Sequence, residues 1–265
     1  MRTIAVMNNK GGVGKTVTCI NLADILVREH GKRVVLGDCD GQRNLTRFFL
    51  PDFAYTDEPT VYDVLFDGGH TVWSENLQEI REGLRILPGD SALYSLDVAA
   101  VTGAAGGRPK ASMMRALRDI RDCAIEDGDT DYMIFDCPPG FTVASCAALM
   151  AAEDVIIPTL MDGFSISGMA DLLAQIRSIR SANQSIRIGG ILVTQWHNSE
   201  VVKQGVQLLK GKHLPVYRQS IRRTDKVPES TFDSSPIVLY SPGSAASQDY
   251  RAWVKEIVAQ EVQHG

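Results

Sequence analysis

Lys10-Gly11-Gly12-Val13-Gly14-Lys15-Thr16 follows a short apolar run, Thr3 to Met7, and precedes a stretch in which Val17, Ile20, Leu22, Ile25 and Leu26 recur at helical spacing. The pattern predicts a buried strand, a glycine loop and a helix from Lys15 to about Glu29, with Gly31 just past its end as a C-cap. In that order the first amides of the helix face a phosphate group. Glycines let backbone N–H groups point inward at close range. The spacing further predicts that Lys15 reaches the β- and γ-phosphates of a nucleotide and that the Thr16 hydroxyl ligates Mg²⁺. The expected nucleotide contacts are Lys10, Gly11, Gly12, Val13, Gly14, Lys15, Thr16 and Val17.

Outward from the loop, strand and helix patterns alternate. Arg33 to Leu36 reads as a second buried strand ending at Asp38, followed by Leu84 to Leu87 as a strand and Met113 to Ile125 as a helix. Tyr132 to Phe135, Val155 to Pro158 and Ile188 to Val193 read as further strands, with helices around Met169 to Ile179 and from Ala246 to Val262. The expectation is one three-layer α/β/α domain over residues 1–265 with a mostly parallel central sheet. Two stretches, Pro51 to Pro59 and Thr102 to Pro109, look irregular, and neither is long enough to link two domains.

The 265 residues carry 27 Lys+Arg against 32 Asp+Glu, a formal charge of −5, which excludes a chain that is basic all over. A hydrophobic share of 44% excludes disorder and supplies a full core. The most apolar stretch, Val143 to Met161, is broken by Glu153 and Asp154 and by Pro158, so no membrane span is expected. The N-terminus has no signal-peptide pattern, and the expected location is cytoplasmic. Five scattered cysteines without a C-x-x-C read as reduced thiols.

The loop departs from G-x-x-x-x-G-K-[ST] by placing Asn9 where the first glycine is usual and adding Lys10. In this it resembles the ParA/MinD group of P-loop ATPases, whose signature lysine crosses a dimer interface to the partner's nucleotide. The resemblance implies a homodimer formed on ATP and a catalytic role for Lys10 beside Lys15. Leu36 to Thr46 looks like the family's D-x-D-P-Q-G-N-[LA]-[ST] segment, and Asp38, Asp40, Gln42, Asn44, Leu45 and Thr46 match it. The resemblance assigns Asp40 to orienting the attacking water and Asp38 to the magnesium shell. Gly41 stands where the family has Pro and Arg43 where it has Gly, which puts the segment's rigidity in question. Turn-forming caps are the alternative reading of the two aspartates. Tyr132 to Gly140 is similar to the family's strand and second switch, D-x-P-P-[GS], which places Asp136 at the sheet's edge as a metal residue.

The C-terminal third resembles Soj-type partition ATPases. Ile221 to Lys226, Glu229, and Ser235 to Pro242 follow the family's I-P-R-x-x-R, S-E and P-[IV]-x-x-Y-x-P order, weakest agreement falling between Asp52 and Pro109. Arg223 and Lys226 match its basic positions, and Arg222 replaces the Pro. From Lys203 to Lys226 seven cations face one acid, +6 in 24 residues, which leaves −11 on the remaining 241. Such a stretch suits contact with the phosphate backbone of DNA, and a solvated basic face is its alternative. Without aromatic interleaving, single-strand stacking is not expected. The resemblance implies nonspecific double-stranded DNA as a partner through Arg222, Arg223 and Lys226, nucleoid association, and a ParB-like centromere-binding adaptor that stimulates hydrolysis. The loop begins too near Met1 for an N-terminal helix-turn-helix. Two rival functions remain at this level: a switch that positions a protein cargo with very slow hydrolysis, and a MinD-like membrane-associated ATPase. Against the second, the last helix has Trp253, Val254, Ile257 and Val258 with a mixed charged face, which reads as core packing, so no membrane partner is expected.

Overall fold

The computed structural model describes residues 1–55, 58–67, 77–103 and 111–262, with the side chains of 261 and 262 left aside. Its strands are β1 (Arg2–Val6), β2 (Val34–Asp38), β3 (Gln78–Arg81), β4 (Leu84–Leu87), β5 (Tyr132–Asp136), β6 (Asp154–Thr159) and β7 (Arg187–Val193). They form one sheet in the order β3-β4-β2-β5-β1-β6-β7, parallel except for β3 against β4. Every residue of β2, β5 and β6 is buried. That is why these strands read as unbroken apolar runs: helices cover both faces of a parallel sheet.

Alternate strand residues feed two cores. Ile4, Val6, Leu36 and Ile134 pack with α1 (Lys15–His30), α2 (Asn44–Phe49), α10 (Ile237–Tyr240) and α11 (Ala245–Val262). Ala5, Met7, Val35, Met133 and Phe135 pack on the other face with α3 (Val61–Asp67), α4 (Leu93–Thr102), α5 (Ala111–Asp127), α6 (Val143–Ala151), α7 (Gly163–Ser178) and α8 (Glu200–Gly211). A short helix, α9 (Lys226–Phe232), precedes α10. Three layers with a mostly parallel sheet are therefore as expected from the alternation.

The predicted strands and helices are all present, each within two residues at its ends except for the start of α7, which begins at Gly163 rather than Met169. Gly31 caps α1 in the left-handed conformation (φ 60°), donating to the Leu26 and Val27 carbonyls. The stretch Val143 to Met161 divides into α6 and β6. No helix among the described residues is long and apolar enough to cross a membrane. Trp253, Val254 and Ile257 of α11 are buried against the sheet side of the core, which is the packing role expected of them. All five cysteines are free thiols. Of the two irregular stretches, 56–57 and 104–109 lie outside the described residues. β3, α3 and α4, in the weakly matching region, were not anticipated, nor were α2, α6, α8, α9 and α10. β3 is short, polar and antiparallel, an edge strand whose charges discourage further pairing.

Candidate functional site

The loop joins the C-terminal end of β1, at the sheet's centre, to α1. Gly12 (φ 72°) and Gly14 (φ 86°) take left-handed conformations that a side chain disfavours, and Gly14 starts α1 with no side-chain cap. The first amides of α1 are thus left for an incoming anion. The loop is held from behind. Thr194 Oγ1, just past β7, donates to the Val13 carbonyl at 2.8 Å, Gln195 Nε2 to the Gly12 carbonyl at 3.1 Å, and Asn8 Nδ2 to the Pro158 carbonyl at 2.8 Å.

Lys15 is 7% exposed, and its ammonium donates to the Lys10 carbonyl at 3.2 Å, curled over the loop. Burial lowers its pKa from the ordinary lysine value, opposed by the charge of Asp136. An anion at the loop would restore the balance. Lys10 is turned the other way. Its ammonium pairs with Asp162, the N-cap of α7, and lies 3.3 Å from Ser165 Oγ. That hydrogen bond holds the Asp162 carboxyl below the usual carboxylate range.

Sheet register brings the carboxylates together: Val6 pairs with Asp136 across β1 and β5, and Asp38 with Asp136 across β2 and β5. Both acids are essentially buried. Asp38 is fully engaged, since Thr46 donates to its Oδ2 from the backbone at 2.8 Å and from the hydroxyl at 2.7 Å, and Asp40 N donates to Oδ1 at 3.2 Å. Asp136 is not: both of its oxygens are buried without a hydrogen-bond donor at proper geometry. Burial drives the Asp136 carboxyl far above the usual carboxylate range, with the Asp38 charge next and the Thr16 hydroxyl pulling weakly the other way. Burial raises Asp38 too, against its Thr46 hydrogen bonds.

An orphaned buried carboxylate near the Thr16 hydroxyl is what a hard cation would satisfy. Among the described residues no three His, Cys, Asp or Glu side chains converge into a metal cage. The donor set therefore fits a magnesium ion that brings phosphate oxygens with it rather than one held by protein alone. A cleft of about 590 Å³ opens over these groups, lined by Gly12, Lys15, Thr16, Asp40, Pro139 and, opposite, the Ile221 to Pro228 segment.

Asp40 sits at the cleft's edge. Its Oδ1 accepts from Gln42 N at 2.9 Å and its carbonyl from Arg43 N at 2.8 Å, closing a tight turn around Gly41. Arg43 adopts φ 60°, the left-handed region that favours glycine, and its guanidinium lies 4.5 Å from the Tyr55 ring centroid. Gly41 in turn lies against the Tyr94 ring, so the two departures in this segment are each met by an aromatic side chain, a point that sequence alone does not reach.

The C-terminal basic stretch is ordered along β7: Ile221 N donates to the Val193 carbonyl at 2.8 Å and Arg223 N to the Trp196 carbonyl at 2.9 Å. Its seven cations are exposed, but the +6 overstates the field, because acids outside the counted window neutralise part of it. Lys203 pairs with Glu200, Lys226 with Glu229, and Arg222 is gripped bidentately by Asp249 at 2.8 Å to each oxygen. Arg222 is thus a tether between the cleft wall and α11. Arg223 has no ion pair among the described residues.

Residues the sequence reading missed are Thr194, Gln195, Asp162 and Gly89. A Cβ at Gly89 would lie 2.7 Å from the Asp38 carbonyl, and its amide donates to Thr46 Oγ1 at 2.8 Å. Its only advance signal was position, two residues past a strand that ends at Leu87 and is followed by Pro88.

The chain has relatives among known proteins. The family model described as AAA domain matches residues 1–188. The chromosome partitioning protein ParA of Caulobacter vibrioides is 31% identical over 98% of this chain and 95% of its own. The chromosome-partitioning ATPase Soj of Thermus thermophilus is 32% identical over 98% and 96%. Cobyrinic acid a,c-diamide synthase from Mycobacterium smegmatis, solved with ADP and magnesium, superposes with a TM-score of 0.79 at 27% identity, covering 100% of this chain and 97% of that one.

Proposed function

Because the chain belongs to the AAA-domain family of the ParA and Soj type, we propose that its ATP hydrolysis serves DNA partition: ATP drives dimerisation, and the dimer holds duplex DNA without sequence preference. The chain is an ATPase, with ATP and Mg²⁺ as its cofactors. The observation that carries the reading is a cleft lined by the glycine loop, Lys15, Thr16 and Asp40, at the end of the sheet where Asp38 and Asp136 stand in register.

In this reading the loop amides and Lys15 bind the phosphates, while Thr16 and Asp136 hold the magnesium, with Asp38 supporting from behind. Held there, a magnesium ion would supply neutralisation of phosphate charge. Asp40, at the cleft rim, orients the attacking water, so most of the acceleration comes from positioning and charge neutralisation. Lys10 acts on the nucleotide of the second subunit. In the monomer it is parked on Asp162, and a partner's triphosphate is a stronger attractor for a half-exposed ammonium than one carboxylate. Arg223 and the exposed Lys226 contact the DNA backbone, and a ParB-like adaptor stimulates turnover. Arg222 contributes through the wall it fixes. With DNA held this way, the protein associates with the nucleoid.

Fluorescence anisotropy with a random-sequence duplex tests the DNA arm. Binding should require ATP, be absent with ADP, and fall steeply with salt. Equal binding in both nucleotide states would overturn it.

A further inference from the structure

We propose that Tyr94, on α4, is a positioning residue for hydrolysis, and that α4 is the brace that fixes both nucleotide-facing segments to one another. The proposal rests on the ATPase reading above and concerns how Asp40 is aimed.

Three contacts carry it. The Tyr94 ring lies against Gly41: a Cβ built there would come within 2.8 Å of Cε2 and Cζ, closer than real contacts allow. The Tyr94 hydroxyl accepts a 2.7 Å hydrogen bond from Gln42 Nε2. One helical turn on, Asp97 Oδ1 accepts from the backbone N–H of Val143, the first residue of α6, at 2.8 Å. Tyr94 and Asp97 are three apart and so share a face of α4. Leu93 and Leu96 are buried and seat that helix in the core. The segment ending in Arg43 and the segment from Asp136 through Gly140 to α6 are thereby tied to the same rigid element.

The chemistry follows from where Gly41 sits. It is the centre of the turn that Asp40 closes with its own carboxylate and carbonyl. A glycine there has more backbone freedom than any other residue, and Asp40 would drift with it. Here the aromatic ring occupies the space a side chain at 41 would need. Gly41 and Tyr94 are therefore one device divided between two elements. Loss of the ring leaves the loop and Lys15 untouched, so nucleotide affinity survives while the water-orienting carboxylate loses its aim. Misplacement of about 1 Å is enough to cost rate heavily.

The test is a double-mutant cycle on Gly41→Ala and Tyr94→Ala, read by ATP turnover and by amide hydrogen exchange. Tyr94→Ala should lower kcat about tenfold with KM for ATP changed less than about twofold, and Tyr94→Phe should recover most of that loss. Gly41→Ala should lower kcat in the wild-type background, where its Cβ meets the ring, and have no further effect once the ring is gone. Asp97→Ala should reproduce the kcat loss from the other anchor. In the nucleotide-free protein, Tyr94→Ala should speed exchange at the Gln42 and Arg43 amides, an outcome read without any turnover. Independent effects at 41 and 94, or unchanged exchange at 42 and 43, would overturn the proposal. Absence of turnover in the wild type under every condition would instead sink the ATPase reading, and the exchange result would still decide the brace.

Discussion

Asp38 and Asp136 stand directly opposite each other in the parallel register of β2 and β5, both buried, one satisfied by Thr46 and Asp40 and the other with no donor at hydrogen-bond geometry, the Thr16 hydroxyl being its nearby polar neighbour. Neighbouring strands lie about 4.8 Å apart, so two ionised carboxylates here repel at short range in a poorly solvated place. The pair therefore carries a charge problem that a cation would resolve.

A pH dependence follows. Asp136 is raised from 3.8 to about 8 in the folded chain, first by burial and then by the Asp38 charge, so the folded chain retains a proton there that the unfolded chain has released. A raised carboxyl stabilises the fold fully below its unfolded value and loses that contribution as pH climbs through the folded one. Melting temperature without magnesium should fall between about pH 4 and pH 8. Asp136→Asn should flatten that slope and melt higher than wild type at pH 8, while losing magnesium-dependent turnover. A slope equal in both proteins would place the strain elsewhere.

Lys10 and Asp162 allow the charge to be separated from the cap. Asp162 Oδ1 accepts from Ser165 N at 2.8 Å and so caps α7, a duty that asparagine performs equally well. Asp162→Asn should leave stability within about 1 kcal/mol, because the pair is half exposed. Freed from its resting partner, Lys10 should engage a second subunit's nucleotide more readily, lowering the protein concentration at which ATP-dependent dimers form in sedimentation velocity.

Arg222 and Arg223 are neighbours with opposite duties. Arg222→Ala strips the charge partner from buried Asp249 and should cost roughly 1 to 2 kcal/mol in urea unfolding. Arg223→Ala should leave unfolding unchanged and weaken duplex binding for every sequence, with the salt slope reduced by about 1. Reversed phenotypes would mean that Asp249 does not hold Arg222 in solution.

How much of this was legible in sequence depends on range. The loop and its strand and helix were readable because glycine spacing and apolar periodicity are local signals, and Gly31 closed the helix as expected. Asp38, Asp40 and Asp136 could be singled out, and β2 and β5 do bring the first and third into register. Pairings across long separations were not readable. Nothing near Arg222 announced Asp249, 27 residues on, and Gly41 looked like a weakened switch until Tyr94, 53 residues away, filled its space. α4 itself carried a weak signal, since it is apolar nearly all round and has no polar face to set a period. The +6 stretch shows the same limit, because a charge count along the chain omits acids that folding brings alongside.

The most direct test of the account is the mass of the protein in two nucleotide states. Sedimentation velocity should give a dimer with a nonhydrolysable ATP analogue and a monomer with ADP, and Lys10→Ala should remain monomeric in both. One mass in both nucleotide states, or Lys10→Ala dimerising as wild type does, would contradict the account at its centre.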